Sequence, residues 1–165
     1  MFTTIADFAV EWEREAELTE RVLSALTDES LQQPIDSERR TLGKLAWHLV
    51  TSASFMTSLG LEFEGVPQGA KALETADEIA KEYRRINAAL LQAVKTQWGD
   101  GSLNETISIM GEEWRNGDSL RFSIMHQAHH RGQMTVLMRQ AGLRPPEIYG
   151  PTYEAWVDKG MTPLA

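Results

Sequence analysis

Asp118-Ser119-Leu120-Arg121-Phe122-Ser123-Ile124-Met125-His126-Gln127-Ala128-His129-His130-Arg131-Gly132-Gln133-Met134-Thr135-Val136-Leu137-Met138-Arg139-Gln140-Ala141 is the stretch that decides the fold. It contains no proline, and Gly142, Pro145 and Pro146 follow it, a conventional end for a helix. Leu120, Ile124, Met134 and Met138 occupy one side, while Phe122, Met125 and Val136 lie on another. A helix apolar on more than one side is buried on more than one side. The segment is therefore expected against the core on one side and against a second copy of the chain on the other, in a homodimer.

Three further segments share helical periodicity. From about Thr4 to Leu26, residues Ile5, Phe8, Trp12, Ala16, Leu18, Val22, Leu23 and Leu26 recur among Glu and Arg. Glu11, Glu13, Glu15, Glu17 and Glu20 read as its solvated face. From Thr41 to Leu59, Leu42, Leu45, Leu49, Ala53 and Met56 share a face, and Gly60 is the stop. Thr75-Ala76-Asp77-Glu78 fits a capping box that opens a third helix. That helix continues to Trp98, where Gly99-Asp100-Gly101 breaks it. Between the third and fourth helices, Thr106-Ile107-Ser108-Ile109 reads as a short strand. Residues 143–165 hold four of the six prolines and are expected to wrap the surface, with a short helical turn near Glu154 to Val157. Four amphipathic helices bury their stripes most economically as an all-α four-helix bundle. No repeat or linker divides the 165 residues, so one domain is expected.

Composition narrows the chemistry. Hydrophobic residues at 42% and charged residues at 24% match ordinary globular usage, which argues against disorder. No apolar run approaches the roughly 20 residues that span a bilayer, and the start shows no signal-type segment. The expected location is the cytoplasm, away from membranes. The absence of cysteine removes disulfides, cysteine-zinc sites, iron-sulfur clusters and a cysteine nucleophile. A net charge of -8 is poorly suited to neutralising phosphates, so no nucleic-acid partner is expected.

The histidines carry the functional signal. There are four, and His126, His129 and His130 crowd into the fourth helix. A helix advances roughly 100° per residue. His126 and His130 therefore stack on one face, which Gln133 and Leu137 continue, while His129 turns away. A pair at i, i+4 is the spacing by which two imidazoles share one metal ion. The zinc-protease pattern places a general-base Glu directly after the first histidine. Gln127 stands there instead, and a neutral amide cannot take the proton, so protease chemistry is excluded. Catalytic zinc takes three protein ligands and keeps a position open. His48, at the edge of the second helix's stripe, is the third candidate.

The run His126-Gln127-Ala128-His129-His130-Arg131-Gly132-Gln133, followed by Gly142 and Pro145-Pro146, resembles the DinB/YfiT-like superfamily. So does His48 within Thr41-Leu42-Gly43-Lys44-Leu45-Ala46-Trp47-His48-Leu49, and the order of elements matches over essentially the whole chain. The resemblance implies a four-helix bundle with a crossover connection and a metal held by His48, His126 and His130. It also implies a homodimer. Characterised relatives include metal-dependent transferases that use a low-molecular-weight thiol, bacillithiol among them.

Three neutral imidazoles leave a divalent ion's charge undiminished, so it can favour a bound thiolate or lower the pKa of water. Imidazole suits Zn²⁺ and Ni²⁺ alike. The expected function is a metal-dependent transfer of an external low-molecular-weight thiol to a small electrophile. A metal-dependent hydrolase, a non-catalytic metal- or ligand-binding stress protein, and a bundle with purely structural histidines are the alternatives. No dedicated general base accompanies the histidines. Arg131 and Gln133 are expected to support the ligands or pack the helix, His129 to lie outside the ligand set, and Tyr149 to reach the pocket mouth.

Overall fold

Thr4 opens the first helix of the computed structural model, which describes residues 2–67, 69–109 and 111–163. Its hydroxyl accepts the Asp7 backbone N–H, and α1 runs Ile5–Ser24. Thr41 caps α2, Leu42–Ser52, in the same way through Lys44. Thr75 and Glu78 form the expected capping box at the start of α3, Ala76–Gln97. The last long helix, α4, is Asn116–Gln140. It ends on Gly142 in the left-handed region (φ 77), while Leu143 N–H bonds back to Met138 O at 2.8 Å. A short α5, Tyr153–Asp158, lies where a helical turn was expected.

The second helix departs from a continuous reading to Leu59. It tightens to a 3-10 turn over Ala53–Leu59 before the expected stop at Gly60 (φ 83). A run of hydroxyls accompanies the change. Thr51, Ser52, Thr57 and Ser58 each donate to the carbonyl three residues back. Such bonds give backbone carbonyls a partner outside the helical ladder. The expected strand, β1 (Thr106–Ile109), pairs antiparallel with a second one that periodicity did not reveal, β2 (Glu112–Arg115). Glycine at position 111 takes φ 87 in the reversal between them.

Helices α1 and α2 each pack against both α3 and α4. Chain neighbours α1 and α2 therefore stand diagonally, as do α3 and α4, and residues 25–41, 98–109 and 111–115 cross the bundle ends. Two apolar clusters fill the interior. One gathers Val22, Leu45, Leu49, Ile79, Ile86 and Met134; the other gathers Phe8, Trp12, Met56, Leu90, Leu120 and Ile124. Polar Glu15, Thr19, Gln127 and Arg131 are buried between these levels on α1 and α4. Among the described residues no helix is long and apolar enough to cross a membrane.

Candidate metal centre

Packing of α2 against α4 brings three imidazoles to one point. His48 Nε2 lies 3.2 Å from His126 Nε2, which lies 3.1 Å from His130 Nε2. Candidate ligand atoms of all three rings fall within 4.8 Å of one another. The ring planes cross at 70–88°, so the nitrogens converge edge to edge without stacking. His126 and His130 are adjacent because they sit one turn apart on α4. His48 joins them from 78 residues away, because α2 faces α4.

Hydrogen bonding alone does not satisfy this arrangement. Each Nε2 carries either a proton or a lone pair. His126 Nε2 faces two partners, so one proton serves one of them and leaves the other contact unmatched. His130 Nδ1 lies 2.7 Å from Gln133 Oε1, while the Gln133 amide nitrogen faces His129 Nε2 at 3.2 Å. This pattern puts the His130 proton on Nδ1 and leaves its Nε2 lone pair aimed at the cluster. Two imidazole nitrogens on a tetrahedral ion, each at about 2.0–2.1 Å, stand about 3.4 Å apart. The observed separations fit a shared divalent cation.

The surroundings keep the rings neutral. Burial, then the positive charge of Arg40, lowers His48 to about 4. Burial, then its neighbours His130 and His129, lowers His126 to about 4. His130 is lowered too, by burial, against the opposing pull of its bond to Gln133. Neutral imidazole is the form that binds a metal.

Beside the cluster opens a cavity of about 230 Å³. His48 and His126 form part of its wall with Trp12, Leu49, Phe55 and Phe122. The 3-10 turn that ends α2 contributes Ala53 and Phe55 to this wall. Behind it lies a buried polar network. Arg131 is 1% exposed and donates to Glu15 O and Thr19 Oγ1, both at 2.8 Å, and to the Glu15 carboxylate. Tyr149 donates its hydroxyl to Glu15 Oε2 at 2.6 Å. Gln127 accepts from Thr19 at 3.1 Å and from Tyr83.

Residues 1–161 match the DinB family. The chain belongs to the DinB family. It is 47% identical over 162 residues to YrdA of Bacillus subtilis (strain 168), covering 98% of this chain and 97% of that protein. A DinB-like protein from Bacillus cereus ATCC 10987 superposes with a TM-score of 0.86 at 43% identity, covering 90% of this chain and 100% of that one. The DinB-like protein YjoA of Bacillus subtilis, at 18% identity, shares the fold with a TM-score of 0.66, over 89% of this chain and 96% of its own.

Within this DinB fold the other expectations divide. His129 stands on the exposed side and is absent from the convergent group, as its angle on the helix required. Gln133 supports His130. Arg131 serves the interior, locking α4 to α1. Tyr149 is not at the pocket mouth: its hydroxyl is drawn to the Glu15–Arg131 pair, and it does not line the cavity. Glu15 is no part of a solvated face either, because Arg131 holds it inside at 6% exposure. The cavity wall was not legible as a set. Phe122, one turn before His126, was the available local signal.

Proposed function

We propose that this DinB-family protein is a metal-dependent enzyme that adds a low-molecular-weight thiol to a small electrophile. The convergence of three neutral Nε2 atoms, from His48, His126 and His130, beside an apolar cavity carries this reading. The three histidines would hold a divalent ion such as Zn²⁺ or Ni²⁺, whose undiminished charge would favour the thiolate form of a bound thiol at neutral pH. The chain has no cysteine, so the sulfur comes from an external cosubstrate. His48 and His126 present the site to the cavity, and Gln133 holds His130 in the tautomer that points its lone pair inward. The apolar wall keeps water from the reacting carbon. The protein acts in the cytoplasm on a small-molecule substrate.

The test is conjugation rate for a panel of cellular thiols and small electrophiles, in zinc-loaded, nickel-loaded and chelated protein and in His48→Ala. Activity requires metal, thiol and His48 together. Rates that survive both chelation and the substitution defeat the reading. Metal binding with turnover of water in place of thiol redirects it to hydrolysis. We also assign the exposed stripe of α4, with Met125 58% and Val136 56% exposed, to the contact between two copies in a homodimer.

A further inference from the structure

The geometry points to Gln127 as the specificity residue of the cavity: its amide N–H₂ takes an acceptor oxygen on a neutral, apolar-bodied substrate. The inference rests on the proposed reading of this site for its biological meaning.

Four observations carry it. Apart from the two histidines, the lining holds no ionisable side chain; its walls are chiefly Trp12, Leu49, Ala53, Phe55 and Phe122. In the metal-free cavity a charged group loses water without gaining a counter-charge. The two hydroxyls in the lining are engaged, Ser52 with Leu49 O at 3.0 Å and Ser123 with Ser119 O at 3.0 Å. Gln127 is different. It is 4% exposed, and its Oε1 is held by Thr19 and by the buried Tyr83 hydroxyl. Its Nε2 has no hydrogen-bond partner among the described residues, although it carries two donor protons. The Tyr83 hydroxyl, buried and in need of an acceptor, turns Oε1 inward and leaves the N–H₂ for the cavity. At about 230 Å³ the space exceeds the roughly 150 Å³ apolar cavity that admits benzene. One ring, or an aliphatic body of that size, fits with a short oxygen-bearing substituent.

The experiment measures calorimetric binding of three probes to zinc-loaded and chelator-stripped protein. Acetophenone carries the acceptor oxygen, α-methylstyrene is its planar counterpart without it, and benzoate adds a charge. Acetophenone should bind about tenfold tighter than α-methylstyrene in both metal states. Benzoate should bind the stripped protein more weakly than either. Gln127→Glu keeps an acceptor oxygen for Tyr83 and Thr19, and Gln127→Met keeps the length without charge. In both variants the acetophenone preference should fall to about one while α-methylstyrene binding persists. The inference is overturned if α-methylstyrene matches acetophenone in the unmodified protein or if neither binds. It is also overturned if the preference survives both substitutions or disappears on chelation, since the metal would then hold the oxygen. Failure of the metal-site reading appears separately, as absence of bound zinc by elemental analysis with the probe preference intact.

Discussion

Gln133 Oε1 stands 2.7 Å from His130 Nδ1, three residues earlier on the same helix, and fixes which nitrogen of that ring faces the cluster. Supports of this kind typically govern metal affinity by 10–100-fold. Gln133→Leu should weaken zinc binding by about that range while leaving helical content unchanged. Competition with a chromogenic chelator measures it, and an unaltered dissociation constant would count against the orienting role.

Ligand identity is separable from proximity. His126→Ala should lose the single divalent ion per chain, and His129→Ala should keep it. Elemental analysis of protein purified without a histidine tag decides, and equal loss in both variants would refute the assignment.

Acid should destabilise the metal-free protein through these rings. His48 and His126 sit near about 4 in the folded chain, against 6.5 for the free side chain. The unfolded chain therefore takes up protons first as pH falls. The stability these two groups permit is fully present above about 6.5 and is lost as pH falls towards about 4. Denaturant midpoints of chelated protein across that window should drop steadily. In loaded protein the same protons compete with the metal, so a flat profile in both states would contradict the neutral cluster.

Arg131 and Glu15 form a buried pair, 1% and 8% exposed at their side chains. Removing one partner leaves an uncompensated charge indoors and costs about 3–5 kcal/mol. Arg131→Met should lose that much in urea unfolding. The double substitution Arg131→Met with Glu15→Gln should recover a large part of it. A single-variant loss below about 1 kcal/mol would place the pair in an exposed setting instead.

Met125 and Val136 share a stripe on α4 in which Gly132 leaves open space. Met125→Asp should shift the mass seen by light scattering at micromolar concentration from dimer to monomer. A monomeric unmodified chain would remove the need for the contact.

Much of this molecule is written in local pattern. Spacing of apolar residues sets the helices, Thr75 with Glu78 opens α3, Gly60 and Gly142 stop their helices, and one turn of α4 brings His126 beside His130. Each depends on residues within a few positions, where backbone geometry alone converts sequence distance into space. Other features needed the assembled bundle. The β2 strand exists through its pairing with β1. Glu15 lies inside because Arg131 arrives from another helix, 116 residues away, and Tyr149 is drawn to that same pair. His48 was legible as a candidate, but its meeting with His126 spans 78 residues and follows from the diagonal packing that sets α2 against α4. The free amide of Gln127 was visible in neither its spacing nor its type. Only the burial of Tyr83 and Thr19 against its oxygen decides which end of that side chain is left to the cavity.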